Sequence, residues 1–194
     1  MKNIQRSIKI IELIIGTGII IFLGTIFSMQ VVSARRAVRM AICVSNLKII
    51  GVAIHAYSQD YDGWLLSPYL STSKKYWFEI LEPYIGNMNP SNVSNLFTCP
   101  SDKNHIWKGT NYVYNGHYEE KKLSDFNHPE DSFLIMDGKP DICPFFTKNN
   151  YMSCIDFRHK QVGGISFSIV LHVDGNTKYM YSNSNFLDEQ FYGY

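Results

Sequence analysis

Residues 8–32 read IKIIELIIGTGIIIFLGTIFSMQVV, and this stretch decides how the rest of the chain is organised. From Leu13 to Val32 it contains twenty residues without a formal charge. A helix that rises about 1.5 Å per residue crosses a hydrocarbon core of about 30 Å in that length. The sequence therefore predicts a transmembrane helix over about residues 10–32.

Glu12 is a single acidic residue at the start of this apolar stretch. A carboxylate in that position is costly unless it is paired or reaches the membrane interface. Two interpretations of Glu12 stay open from the residues alone. The side chain either reaches the headgroup region at the membrane edge, or it pairs with a cation from a neighbouring subunit.

Charged residues give limited information about orientation and partners. Three basic residues precede the apolar stretch and three follow it: Lys2, Arg6, Lys9, Arg35, Arg36 and Arg39. The positive-inside rule therefore favours neither orientation. The net charge of +1 argues against a nucleic-acid binder that relies on a basic surface.

The N-terminal segment resembles that of type IV prepilins and pseudopilins. A short basic leader, residues 1–7, is followed by Ile8-Lys9-Ile10-Ile11-Glu12-Leu13, and Glu12 falls where the family has its glutamate. Ser7 stands where the family has Gly, and Lys9 stands where it has Thr or another polar residue. The resemblance implies cleavage after Ser7 by a prepilin peptidase, N-methylation of Ile8 and a role for Glu12 in assembly. It also implies a single pass through the bacterial inner membrane, with the head outside the cytoplasm.

The helical pattern continues beyond the apolar stretch, because residues 33–57 contain no Pro and only one Gly, Gly51. We predict one helix over residues 8–58 and a β-rich extracytoplasmic head over residues 59–194. Small or apolar residues recur at spacings of three and four, and we expect this stripe to pack on the protein's own head. The stripe consists of Ala34, Val38, Ala41, Ser45, Ile49, Val52 and Ala56, with Arg35, Arg39, Asn46 and Lys48 on the opposite side.

A second resemblance extends over nearly the whole chain. Its motifs are, in order, Cys43-Val44-Ser45-Asn46-Leu47, Cys99-Pro100-Ser101-Asp102, Asn111-Tyr112-Val113-Tyr114-Asn115, Met136-Asp137-Gly138, Arg158-His159 and Val173-Asp174-Gly175. They resemble prepilin-type proteins with a C-terminal His-x9-Asp-Gly domain, which are similar to the type II secretion pseudopilin G. The resemblance implies an α+β, pilin-like fold, with a long N-terminal helix packed on a small antiparallel β-sheet. Fourteen residues separate His159 from Asp174 here, not nine, so no role is carried over to His159.

The last of these motifs lies in a pattern typical of a β-hairpin. Apolar residues alternate with polar ones over residues 165–173, which predicts a half-buried strand. Asp174-Gly175-Asn176 predicts a turn, and residues 177–181 predict the returning strand. We interpret Asp174 as a turn former, and likewise Asp62 and Asp137, which also precede a Gly.

The four cysteines are an even number, which fits disulfides in a small exported domain. Cys143 and Cys154 could close a loop, which would leave Cys43 with Cys99. This is one of three possible pairings, and reduced thiols stay open as well. No pair has C-x-x-C spacing, so the sequence favours neither a zinc site nor thioredoxin-type chemistry.

Motifs of enzymes and of cofactor sites are absent from the sequence. The six histidines are scattered, and no H-E-x-x-H, G-x-S-x-G or P-loop pattern is present. We therefore predict a protein that is not an enzyme and has no cofactor. Asp137 and Asp174 are weak candidates for Ca²⁺ ligands, because no EF-hand loop accompanies them.

The resemblance implies a structural subunit of a pseudopilus of the type II secretion or type IV pilus kind. Its partners would be the prepilin peptidase, other copies or related pseudopilins in the filament, and inner-membrane lipid. The alternative is an unprocessed single-span membrane protein, whose exported head binds a ligand or an envelope partner.

Overall fold

A computed structural model describes residues 2–86, 95–102, 108–139, 144–147, 150–160 and 164–183, and gives only the backbone of 2–11, 29, 151 and 152. Helix α1 runs from Lys2 to Asp60. The chain divides into two units, Met1–Val38 and Arg39–Tyr194. Residues 2–7 of the predicted leader are therefore helical, and the helix ends two residues beyond the predicted boundary.

The first unit presents large apolar side chains to its surroundings. Leu13, Ile20 and Phe27 are 67%, 70% and 71% exposed. Among the described residues, one helix is long and apolar enough to cross a membrane. The predicted membrane helix is confirmed to this extent.

Hydroxyl groups within the apolar stretch are bonded to the helix's own backbone. The Thr17 hydroxyl donates to the Leu13 carbonyl at 2.9 Å, and the Thr25 hydroxyl donates to the Phe22 carbonyl at 2.7 Å. Ser28 donates to the carbonyl of Thr25 at 2.8 Å. These side chains therefore need no water, which suits a segment surrounded by hydrocarbon.

In the second unit, α1 buries a different face from the predicted one. Ala41, Ser45 and Val52 of the predicted stripe are exposed. The buried positions again follow helical spacing, but they are Cys43, Asn46, Leu47, Ile50, Gly51, Ala53, Ile54 and Ser58. The prediction was wrong because small residues were counted as core, whereas the larger Leu and Ile side chains bury more apolar area.

The second unit adds a main sheet, a small hairpin and short helices. The strands are β1 Tyr69–Leu70, β2 Lys75–Tyr76, β3 Tyr112–Asn115, β4 Phe133–Asp137, β5 Phe145–Phe146, β6 His159–Lys160, β7 Ser166–His172 and β8 Thr177–Tyr181. The helices are α2 Trp77–Leu81 and α3 Tyr151–Cys154, with 3₁₀ turns at Glu82–Tyr84, Gly116–Tyr118 and Leu123–Asp125. The fold is therefore α+β, as predicted.

The main sheet has the order β5-β3-β4-β7-β6, and β8 also pairs with β7. The β3–β5 pairing is parallel and the other pairings are antiparallel, so the sheet is mixed and not the antiparallel sheet of the prediction. The hairpin of β7 and β8 confirms the two predicted strands and the turn at Asp174-Gly175-Asn176.

Strand β7 is covered on both faces. Phe167, Ile169 and Leu171 join the larger apolar core, which includes the buried face of α1. Val170 points the other way and joins a second apolar cluster with Val113 and Met136. The prediction of a half-buried strand was wrong, since Ser168 and His172 are buried as well.

Helix α1 approaches β7 closely at Gly51. A Cβ atom at this position would lie 3.1 Å from Cδ1 of Leu171. The absence of a side chain at Gly51 therefore allows the helix to pack tightly on the sheet.

Candidate metal centre

Four potential metal ligands from distant parts of the sequence meet inside the second unit. They are Cys43, Cys99, Asp137 and His159, and their ligand atoms all lie within 4.8 Å of one another. All four side chains are buried. Within the part of the chain that the structure describes, this is the one group of three or more His, Cys, Asp or Glu residues with such an arrangement.

Cys43 comes from the buried face of α1. It lies one helical turn before Leu47 and is fully buried. Its Sγ atom lies 3.5 Å from Oδ1 of Asp137 and 3.2 Å from the hydroxyl of Tyr112. Packing of the Leu47 face on the sheet therefore directs the Cys43 thiol into the cluster.

Cys99 comes from a turn that Asn111 holds in place. The Cys99 amide donates to Oδ1 of Asn111 at 2.6 Å. The Asn111 side-chain amide donates in turn to the carbonyls of Cys99 at 3.2 Å and Asp102 at 3.0 Å. The turn from Cys99 to Asp102 is thus fixed by one buried side chain, and the orientation of the Cys99 thiol is fixed with it.

Asp137 and His159 are brought together by β7. Strand β4 pairs with residues 170–172 of β7, and β6 pairs with Ser166 and Phe167. Strand β8 pairs with residues 167–171, so β4 and β6 must share the other edge of β7. The end of β4 therefore meets the start of β6, and the two side chains are neighbours.

Hydrogen bonds orient the two side chains. Oδ2 of Asp137 accepts a hydrogen bond of 2.8 Å from the amide of Ile169, and lies 3.2 Å from Nε2 of His159. The same Nε2 lies 3.5 Å from Sγ of Cys99. The group is therefore closely connected, with Asp137 next to both Cys43 and His159.

Arg158 supplies a buried positive charge beside this cluster. Its guanidinium lies 3.2 Å from Asp156, 3.7 Å from Asp137 and 3.8 Å from Asp102, and its side chain is 4% exposed. It also donates to the backbone carbonyls of Asn111 and Gly138. A buried cation that is surrounded in this way is compensated by charge as well as by hydrogen bonds.

The pKa values of Asp137, His159 and Cys99 reflect mutual stabilisation of charges, whereas burial raises the pKa of Cys43 well above its ordinary value. Burial opposes ionisation of Asp137, but the hydrogen bond with His159 and the charge of Arg158 outweigh it, so the pKa of Asp137 lies below its ordinary value. Burial disfavours the charged form of His159, yet the bond to Asp137 raises the pKa of His159 to about 9. The hydrogen bond with Cys43, together with one from His159, lowers the pKa of Cys99 to about 6.

The donor atoms determine which metal ion the cluster could bind. Two sulfur atoms, one imidazole nitrogen and one carboxylate oxygen suit a zinc-like divalent ion, because thiolates are soft ligands. Calcium takes six to eight oxygen ligands, and these four residues offer one carboxylate. The arrangement therefore fits a metal that prefers sulfur and nitrogen.

Several residues that the sequence singled out lie elsewhere. Glu12 is exposed in the first unit, whereas the side chains of Ser7 and Ile8 lie outside the described residues. Asp174 accepts from the Asn176 amide at 2.9 Å, which confirms it as a turn former. Asp137 is not a turn former, because it is the last residue of β4 and is fully buried.

The cysteines are found in two states. Cys43 and Cys99 are free thiols that lie side by side, so the predicted bond between them is not formed in this structure. Cys154 is disulfide-bonded, and Cys143 lies outside the described residues. The pairing of Cys143 with Cys154 therefore stays a prediction.

Sequence reasoning found these ligands as motif residues but not as a group. The absence of C-x-x-C spacing argues against zinc only where two ligands come from one local loop. Here each ligand comes from a separate segment. The signal that could have joined them is the resemblance, since each of the four lies in one of its motifs.

Comparisons of the chain with protein-family models, with curated proteins and with solved structures find no match.

Proposed function

We propose that this chain is a structural subunit of a pseudopilus-like filament, of the type II secretion or type IV pilus kind. Residues 10–32 would anchor it in the bacterial inner membrane, with the head on the extracytoplasmic side. The observation that carries the proposal is the exposed apolar surface of residues 13–32, which begins next to the single carboxylate of Glu12.

The size of this surface requires an apolar environment. Burying one large apolar side chain is worth about 1.5–3 kcal/mol, and this stretch exposes many of them. The most exposed are Leu13, Ile14, Ile20, Ile21, Phe22 and Phe27. Soluble monomers rarely expose contiguous apolar patches of this kind, so lipid or other copies of the helix must cover it.

Glu12 gives the packing of such helices a defined register. After cleavage behind Ser7, the free amine of Ile8 in one subunit would pair with the Glu12 carboxylate of its neighbour. An unpaired carboxylate is strongly disfavoured among apolar helices, so the pairing selects one axial offset between subunits. A head-to-tail contact whose rotation does not close into a ring produces a filament, and this is the geometry that we propose here.

The experiment compares Glu12→Ala and Glu12→Gln with the wild-type chain in a host that has a prepilin peptidase and a filament assembly machine. Thr17→Ala is the matched control, because its hydroxyl bonds only to its own helix backbone in this structure. We expect both Glu12 variants to reach the membrane fraction but to be missing from sheared filaments, while Thr17→Ala assembles normally. Normal assembly of Glu12→Gln would contradict the register role.

The alternative, an unprocessed single-span protein whose head binds an envelope partner, rests on Ser7. This alternative predicts a different N-terminus, because the protein extracted from the membrane would still begin at Met1. In that case Glu12 is an interfacial residue, and its substitution affects neither processing nor assembly.

A further inference from the structure

We propose that Cys43, Cys99, Asp137 and His159 bind one zinc ion in a closed structural site, which fastens helix α1 to the sheet. This site does not depend on the filament proposal. It is argued from the positions of the four ligand atoms, their chemical type, their burial and the charges around them.

The spacing of the ligand atoms matches a zinc tetrahedron. Zn–S bonds of about 2.3 Å and Zn–N or Zn–O bonds of about 2.0–2.2 Å give edges of about 3.5 Å for S–N and S–O and about 3.3 Å for N–O. The corresponding distances are 3.5 Å from Sγ of Cys99 to Nε2 of His159 and 3.2 Å from that Nε2 to Oδ2 of Asp137, while Sγ of Cys43 lies 3.5 Å from the other oxygen, Oδ1. Two edges that meet at His159 therefore agree with one small central ion, and all four ligand atoms lie within 4.8 Å of one another.

The burial of the ligands makes this a structural site. Zinc sites that hold the protein together have four protein ligands, whereas catalytic sites keep one position open for water or substrate. The two thiols and the carboxylate are fully buried, and His159 is 5% exposed. Four protein donors on all sides leave no open coordination position.

The negative charge of the loaded site is partly offset by Arg158, which also pairs with two further carboxylates. A zinc ion with two thiolates and one carboxylate carries a net charge of about −1. The Nε atom of Arg158 lies 3.7 Å from Asp137, and the guanidinium is held there by Asp156 and Asp102. A net charge that is buried without an oppositely charged partner is costly.

Neighbouring groups hold the ligands in orientation, as they do in known metal sites. The Tyr112 hydroxyl lies 3.2 Å from Sγ of Cys43, within hydrogen-bond distance of a thiolate. The amide of Ile169 donates to Asp137, and the amide of Cys99 donates to Asn111. Each of Cys43, Cys99 and Asp137 therefore has a fixed neighbour.

The consequence is a link between parts of the chain that are distant in sequence. Cys43 belongs to α1, Cys99 to a turn, and Asp137 and His159 to two strands. Because the ligands are together only in the folded chain, the free energy of zinc binding adds to the free energy of folding. The ion would replace the protons on the thiols and the imidazole.

The test measures zinc in the full chain, purified in detergent without oxygen and without added thiols, which would compete for the ion and reduce the disulfide of Cys154. We expect one zinc per chain in the wild type, and near-complete loss in Cys99→Ser and His159→Gln. His128→Gln is the control, because its side chain is 65% exposed and lies outside the cluster. Zinc that stays bound in Cys99→Ser, or wild-type protein that binds none, would overturn the proposal.

A second measurement covers the case in which the ligand variants do not fold. Wild-type protein stripped by a chelator is titrated with Co²⁺, and we expect a tetrahedral cobalt spectrum with thiolate charge-transfer bands that saturates at one equivalent. We also expect the chelator to lower the thermal unfolding midpoint, and zinc to restore it. An unchanged midpoint, or a Cys43–Cys99 disulfide in folded protein isolated without reductant, would overturn the structural zinc site.

Discussion

Nε2 of His159 lies 3.2 Å from Oδ2 of Asp137, although 21 positions of the sequence separate the two residues. They meet because β4 ends and β6 begins on the same edge of β7. Cys43 and Cys99 then approach this pair from α1 and from the turn that Asn111 stabilises.

Removal of Arg158 should destabilise the second unit strongly. Arg158→Met leaves the carboxylates of Asp102, Asp137 and Asp156 without their common cation, and breaking a buried ion pair costs about 3–5 kcal/mol. The control is Lys178→Met, because Lys178 pairs with Asp131 at an exposed site and should cost about 0–1 kcal/mol. Urea unfolding of the full chain in detergent measures both values, and equal losses would show that burial of Arg158 is unimportant.

The buried face of α1 can be tested with two residues on the same helix. Leu47 is fully buried and Val52 is 71% exposed. Leu47→Ala should lower the free energy of unfolding by about 2–5 kcal/mol, since it leaves a cavity. Val52→Ala should change it by about 0.5 kcal/mol or less. A larger loss of unfolding free energy in Val52→Ala than in Leu47→Ala would instead support the stripe predicted from the sequence.

Gly138 should tolerate no side chain. A Cβ atom at this position would overlap both methyl groups of Val113, in the second apolar cluster. Gly138→Ala should therefore cost about 1–3 kcal/mol or more through overpacking. In a Val113→Ala background the added cost of Gly138→Ala should be smaller, because the two nearest methyl groups are gone. Equal costs in both backgrounds would exclude Val113 as the cause.

The stability of the fold should fall as the pH drops below the ordinary pKa of His172. Burial, with a smaller effect of Lys178, lowers the pKa of His172 from 6.5 to about 4, against the attraction of Asp174 and Asp131. The unfolded chain therefore binds a proton between these two values when the folded chain does not. His172 therefore does not lower the free energy of unfolding above pH 6.5. Between pH 6.5 and pH 4 it lowers that free energy by up to roughly 3 kcal/mol.

A His172→Leu variant isolates this contribution. The difference in unfolding free energy between the wild type and the variant should depend on pH in that interval and level off below it. A difference that is constant from pH 7 to 4 would mean that His172 is protonated equally in both states.

Local patterns in the sequence predicted the long apolar helix, the β7–β8 hairpin and the Asp174 turn correctly, because each depends on neighbouring residues. The buried face of α1 could not be read in the same way, since small and apolar residues occur on both sides of the helix. Burial of Ser168 and His172 depends on what covers the second face of the sheet, and no local period records that. The cluster of Cys43, Cys99, Asp137 and His159 depends on strand register, which the spacing of cysteines does not reveal.

The most direct test of the central claim is the N-terminal sequence and intact mass of the protein extracted from membranes. A subunit that assembles through Ile8 and Glu12 is predicted to begin at a methylated Ile8. The matched control is Ser7→Gly, which introduces the Gly that prepilins have before the cleavage point. It should give the same N-terminus as the wild type. Wild-type chains that begin at Met1, while Ser7→Gly begins at Ile8, would contradict the account and favour the unprocessed single-span protein.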